Sequence, residues 1–271
     1  MSPKEGRGEL CSPGRRKIVH DWSWPDRLEA RVVPKMDALW VVCEEQKQRL
    51  IADFGVPASK ISLVLNTPEE IPSSSMALST RRTRFGYHGI LCEDRELEVI
   101  LKGFDLFVDS CPDSERPQMS LLIAGGGESE EELRRLAAGL KYPGQIEFTG
   151  RYSPETLPGL YDRVDYGVVS LRANLFTEHT LANKFFDYAA RGKPFLFPNL
   201  KPLARVIKDL KCGVAFAPGS PQSVAQSMRA IRSADYAALA QAGIRGIQTQ
   251  YHWAQDAQRI QLSLEALGWR S

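Results

Sequence analysis

Between His179 and Pro194 the chain reads HTLANKFFDYAARGKP, a polar loop that opens a helix directly after an apolar run. Helix openings of this kind bind anions, because free backbone N–H groups and the positive end of the helix dipole converge there. At the carboxyl edge of a parallel sheet, where ligands of open α/β folds bind, such an opening accommodates a diphosphate. The pattern equally suits an ordinary strand-to-helix crossover with a charged surface loop, and spacing alone leaves both readings open. A second stretch, LLIAGGGESEEEL, places Gly125 to Gly127 between an apolar run and an acidic helix start. A dinucleotide oxidoreductase would instead show Gly-x-Gly-x-x-Gly, and Glu128, Glu130, Glu131 and Glu132 repel a pyrophosphate, which argues against NAD.

The elements that must position these residues follow from the hydrophobic pattern. From Arg84 onward short apolar runs alternate with amphipathic stretches, as in a parallel sheet with crossover helices. Strands are expected at 85–91, 120–124, 146–149, 166–171, 194–198 and 213–217. Helices are expected at 95–107, 130–140, 154–163, 181–191, 203–210 and 221–231. Ser153 before Pro154 and Ser220 before Pro221 read as helix caps, and Gly192 as a helix stop. Residues 234–267 form one bent helix or two. Ahead of this unit lies a shorter βαβ-like piece, with strands at 17–21, 38–43 and 61–65 and a helix at 44–54. Residues 68–84, rich in Pro, Ser and basic side chains, read as a linker.

Composition bounds the function classes. At 271 residues with 43% hydrophobic side chains, the chain can bury a sizeable core. A net charge of +2 is too small for a nucleic-acid footprint, which needs cations gathered on one face. Cys11, Cys43, Cys92, Cys111 and Cys212 form no Cys-x-x-Cys pair and read as reduced thiols of a cytoplasmic protein. No apolar run is long enough to span a bilayer, and residues 1–16 lack a secretory apolar core. Arg81, Arg82 and Arg84 form a small basic cluster, either solvated linker charge or a contact to the cytoplasmic membrane face.

With the elements in place, NKFFDYAARGKP resembles the signature of family 4 (group 1) retaining glycosyltransferases, where two acids lie eight positions apart ahead of an Ala-x-Gly-x-Pro turn. The resemblance implies that Asp187 is the second acid and accepts hydrogen bonds from the ribose hydroxyls of a nucleotide-sugar donor. Eight residues earlier stands His179, with Glu178 one position off, where the family's first acid contacts the transferred sugar. Thr180, Leu181, Ala182 and Asn183 fall where the family's helix start offers N–H groups to the phosphates. YHGILCEDR, residues 87–95, is similar to the family's glycine turn. There the resemblance gives Gly89 a close approach to the phosphates and gives Arg95 the place of a lysine that neutralises the leaving diphosphate. Ile90 replaces the arginine that usually follows that glycine. Gly125 matches the family's second glycine turn, and Arg151 and Tyr152 fall in the segment bordering the base. KIVHDW makes His20 a match for a histidine near the transferred sugar, and the Tyr251–Trp253 stretch resembles an element of the last helix, which crosses back to the N-terminal domain; Trp253 is expected in the core.

The implied fold is α/β: a Rossmann-like parallel sheet with helices on both faces, the C-terminal half of a GT-B fold, plus a partial N-terminal α/β subdomain. The implied organisation is a tail at 1–16, a remnant of the acceptor-side domain at 17–66, a linker at 67–84, the nucleotide-sugar-binding domain at 85–233 and returning helices at 234–271. The implied activity is hexose transfer, with retention, from a nucleotide diphosphate sugar to a glycan, lipid-linked or other hydroxyl acceptor, with no metal or other cofactor. The alternative is a binding module that completes its site with a separate N-terminal-domain chain or has lost turnover.

Overall fold

The structure, a computed structural model, describes residues 23–69 and 82–269. The expected strand at 17–21, His20 within it, and Arg81 lie outside the described residues. The N-terminal piece runs α1 (Ser23–Val32), β1 (Leu39–Val41), α2 (Glu44–Phe54) and β2 (Ile61–Leu63). β1 and β2 pair in parallel, Leu39 opposite Ile61. Gly55, at φ 63°, ends α2 in the left-handed conformation. α1 was not anticipated, because its sequence mixes apolar and charged residues without a clean stripe.

The larger unit begins with β3 (Thr83–His88), α3 (Leu97–Asp109), β4 (Met119–Ala124), α4 (Glu130–Ala138) and β5 (Ile146–Gly150). It continues through α5 (Leu157–Asp162), β6 (Tyr166–Val168), α6 (Lys184–Ala190), β7 (Phe195–Pro198), α7 (Lys201–Leu210), β8 (Gly213–Phe216) and α8 (Pro221–Ser233). The strand order is β5-β4-β3-β6-β7-β8, all parallel. Both faces are covered, so the central strands read as continuous apolar runs rather than alternating ones; Leu121, Leu122, Ile123 and Ala124 are all buried. One apolar cluster lies under α3 and α8 and includes Phe85, Phe104, Phe107 and Met228. The other lies under α6 and α7 and includes Phe185, Phe186, Phe195 and Leu203. Connections from β3 run first outward to β5 and then return to β6, which creates a topological switch between β3 and β6.

The Ser220 side chain caps α8 by accepting from Ser223 N–H, and Gly192 leaves α6 at φ 60°, both as the sequence indicates. Ser153 does not cap a helix. Residues 153–156 instead close a turn through Thr156 N–H to the Ser153 carbonyl, and α5 starts only at Leu157. The tail is two helices, α9 (Tyr236–Thr249) and α10 (Trp253–Ala266), broken at Gln250 to His252. Trp253 is half-buried rather than in the core: as the first residue of α10 it is spent on the corner, its N–H donating to the Pro68 carbonyl at 3.0 Å. Tyr251 is the aromatic that enters the core there.

α10 carries the anchor that fixes the N-terminal piece. Asp256, fully buried, accepts from Leu65 N–H, Thr67 N–H (both 3.1 Å) and the Thr67 hydroxyl (2.8 Å), and pairs with Arg259 at 3.0 Å. A second tie is bidentate, Arg205 on α7 to Glu45 on α2 at 3.0 Å for both bonds. Among the described residues no helix is long and apolar enough to cross a membrane. Asp256→Ala leaves two buried amides, a hydroxyl and a cation without their acceptor. Urea unfolding should show a loss of about 3 kcal/mol, and a loss below about 1 kcal/mol would mean that the carboxylate does not hold the piece.

Candidate functional site

The ends of β3, β4 and β5 are joined backbone to backbone at the carboxyl edge of the sheet, beside the switch between β3 and β6. Gly89 N–H donates to the Ala124 carbonyl (2.9 Å), Leu91 N–H to Gly126 (3.2 Å) and Gly125 N–H to Gly150 (2.9 Å). Glycine is required at two of these positions. A Cβ on Gly125 would stand 1.7 Å from the Gly89 carbonyl oxygen, and its φ of 141° excludes other residues; a Cβ on Gly127 would stand 2.1 Å from the Leu91 oxygen. The aliphatic part of Arg151 lies over Gly126. Gly89, Gly125 and Arg151 therefore come together.

Arg95 follows on a single 3-10 turn, Glu93–Arg95. The turn is held from both sides. Arg172, from the loop after β6, donates its backbone N–H to the Asp94 carbonyl (2.8 Å) and its guanidinium to Glu98 (3.1 Å). Glu96, buried and left-handed at φ 49°, accepts from Gly219 N–H at 3.1 Å. Arg95 itself, half-buried, makes no side-chain hydrogen bond or ion pair with a described residue. A cation positioned but not neutralised at a switch point can hold a phosphate.

The loop from β6 to α6 differs from expectation at its end. Thr177–His179 form a 3-10 turn, Thr180 is extended (φ −129°, ψ 162°), and α6 starts at Lys184, three residues later than the pattern suggests. The reason is Leu181, whose side chain enters the core beneath α6 and α7 ahead of the helix. Thr180, Leu181 and Ala182 thus precede the helix, and Asn183 stands at its N-cap position without a side-chain capping bond. Among the described residues nothing accepts from the backbone N–H groups of residues 180–183. Glu178 is half-buried, and His179 turns its Nδ1–H to the Leu175 carbonyl at 2.9 Å.

Asp187, in the first turn of α6, accepts the Tyr161 hydroxyl (3.0 Å) and approaches Lys184 Nζ (3.4 Å), both at Oδ2. Burial and then the Asp187 carboxylate push the Tyr152 hydroxyl up, while Tyr87, raised by burial, feels Arg95 and Tyr152. The edge thus gathers glycine turns, an unneutralised guanidinium, free amides and a carboxylate: the groups for phosphates on one side and a polyol on the other. Among the described residues no three His, Cys, Asp or Glu side chains converge as metal ligands. Tyr161, Lys184, Arg172 and His88 were not singled out from sequence. Only His88, beside Gly89, carried a signal that could have drawn notice.

The family model for glycosyl transferases group 1 matches residues 89–233, the stretch that holds these turns and α6. The chain belongs to the group 1 glycosyl transferases. This group 1 member is 22% identical over 213 residues to TuaH of Bacillus subtilis (strain 168), named as a teichuronic acid biosynthesis glycosyltransferase, covering 76% of this chain and 50% of TuaH. It is 27% identical over 171 residues to mannosylfructose-phosphate synthase of Agrobacterium fabrum, covering 58% of this chain and 38% of that protein. The chain therefore spans about half the length, or less, of these relatives. Among solved structures, Anabaena HepE in complex with UDP superposes with a TM-score of 0.75 at 15% identity, covering 96% of this chain and 71% of HepE. At that identity the likeness is one of fold, the GT-B glycosyltransferase fold.

In this group 1 transferase a buried polar cluster lies beneath the site. The Tyr188 hydroxyl donates to the Gly86 carbonyl (2.8 Å), so it accepts from His88 Nδ1–H (2.8 Å). His88 Nε2, near the Leu160 carbonyl, completes no well-formed hydrogen bond. Burial, with Lys184, Arg191 and Lys193 adding to it, lowers the imidazole pKa from 6.5 to about 4. The unfolded chain thus binds this proton in a window where the folded chain does not. The contribution to stability is full above pH 6.5 and is lost as pH falls towards 4. Between pH 7 and 4.5, urea unfolding of the wild type should lose about 2 kcal/mol more than unfolding of His88→Gln; equal losses would contradict the assignment.

Proposed function

We propose that this chain binds a nucleotide diphosphate sugar at the switch-point edge and supplies the donor side of a retaining hexosyl transfer of the family 4 type. The acceptor is the hydroxyl of a glycan, a lipid-linked sugar or a similar compound. One observation carries the reading: Gly89, Gly125, unneutralised Arg95, the free amides of residues 180–183 and Asp187 share one edge of a sheet whose family match covers them all. HepE, solved with UDP in a similar fold, supports a uridine diphosphate as the first ligand to try.

As the acceptor oxygen bonds to the anomeric carbon, the bond to the diphosphate breaks, its electron pair leaves with the phosphate oxygen, and the acceptor's hydroxyl proton passes to that departing phosphate. Charge grows on the diphosphate, and Arg95 with the amides before α6 is disposed to meet it. The reading calls on no metal or other cofactor. Asp187 accepts from the ribose hydroxyls, Tyr152 and Arg151 border the base, and Glu178 lies on the sugar side. His20 belongs to the acceptor-side part of the same reading, as does a location at the cytoplasmic membrane face for a lipid-linked acceptor. A second reading, a donor-binding module that turns over only with a separate acceptor-binding chain, is favoured by His179. That residue stands where the family has an acid, and its Nδ1 is committed to the Leu175 carbonyl.

Calorimetric titration with UDP should give saturable binding, weakened about tenfold or more by Arg95→Ala and by Asp187→Ala. Folded wild-type protein that takes up neither UDP nor GDP at millimolar concentration contradicts both readings. Binding without sugar transfer to any hydroxyl acceptor selects the second.

A further inference from the structure

Asp187 is held in an asymmetric way. Oδ2 receives both protein donors, the Tyr161 hydroxyl at 3.0 Å and Lys184 Nζ at 3.4 Å, whereas Oδ1 meets no donor among the described residues. Tyr161, on α5, is completely buried, and its ring is confined on three sides. The His88 ring centroid lies 4.5 Å away, the Tyr188 ring stands perpendicular at 5.5 Å, and the Arg191 guanidinium caps the outer face at 4.3 Å. His88 is in turn fixed by Tyr188, and Tyr188 by the Gly86 carbonyl of β3. A continuous set of contacts therefore runs from the backbone of the central strand to one oxygen of a carboxylate on α6. Burial raises the Tyr161 hydroxyl far above neutrality, so it stays a donor.

Resting on the donor-site reading above, we propose that Tyr161, assisted by Lys184, is a positioning residue: it fixes Asp187 by Oδ2 so that Oδ1 is the oxygen presented to the ribose hydroxyls. Aspartate has a single methylene between backbone and carboxylate, and the short arm gains from a partner that sets its rotamer. A carboxylate already tethered at one oxygen also loses less conformational freedom when it accepts a ligand hydroxyl, which favours binding. If Asp187 served only to satisfy a buried Tyr161 hydroxyl, cutting that hydrogen bond would alter stability and leave ligand selectivity alone.

The readout is the ratio of the dissociation constants for 2′-deoxy-UDP and UDP, measured by calorimetry on the full chain. The wild type should prefer UDP about tenfold, the magnitude of one hydrogen bond to a charged acceptor. Asp187→Ala should abolish the preference. Tyr161→Phe keeps the ring, its packing and the Arg191 contact, and should cut the preference about threefold or more while the affinity for 2′-deoxy-UDP stays within about twofold. Lys184→Met, at a side chain that is 38% exposed, tests the same oxygen without risk to the fold, and should cut the ratio by about twofold. Any effect of Lys184 on phosphate binding cancels in the ratio. A ratio that collapses in Asp187→Ala but is unchanged in both Tyr161→Phe and Lys184→Met overturns the positioning role and leaves the donor site standing. A wild type that binds UDP without distinguishing it from the deoxy form, or that binds neither UDP nor GDP, overturns the ribose assignment and this inference together.

Discussion

The turn after β3 and the turn after β4 press backbone against backbone, with the Gly89 carbonyl where a side chain on Gly125 would begin. This contact sets how close the two strand ends come, and the bonds from Leu91 to Gly126 and from Gly125 to Gly150 extend it across three strands. A floor of close-packed backbone results, with the Arg151 side chain lying over Gly126. Arg95 follows on a turn whose backbone Arg172 and Glu96 hold in place, and its guanidinium is not neutralised by a described residue. Replacing either glycine by a larger residue would force the turns apart and move the cation with them.

Opposite that floor the site depends on a polar cluster inside the sheet. His88 ends β3 one residue before Gly89, and its hydrogen bond to Tyr188 connects the floor to α6 from below. The strand that supplies the Gly89 turn thus also supports the Asp187 carboxylate through Tyr161. Further out, Asp256 and the Arg205–Glu45 pair seat the N-terminal piece against α7 and α10, beside the loop that carries Glu178 and His179. Buried charge serves as a fastener at each junction where apolar contact alone would allow sliding.

The six strands of the large sheet were legible because both its faces are buried. Runs such as Leu121 to Ala124 and Phe195 to Pro198 have no polar alternation to confuse with a surface strand. The glycine turns and the caps at Ser220 and Gly192 were legible because backbone geometry restricts residue choice there. The start of α6 was not, because whether Leu181 faces a helix interior or the core before the helix is decided by tertiary packing. Trp253 misled for a similar reason: an aromatic at a helix start can guard a corner rather than fill a core. Tyr161 and Lys184 were invisible in sequence, since a tyrosine in a short helix announces neither its partner 26 residues away nor which carboxylate oxygen it meets.

The central claim is that one edge of the sheet, at the switch between β3 and β6, receives the nucleotide diphosphate. A crystal structure of the chain grown with UDP tests it most directly. The account predicts the diphosphate within hydrogen-bonding distance of Arg95 and of amides among residues 180–183, with the ribose against Asp187. UDP bound elsewhere, for example in the cavity between α10 and the β1–β2 sheet lined by Lys60 and Arg259, with the glycine-turn edge left empty, would contradict it.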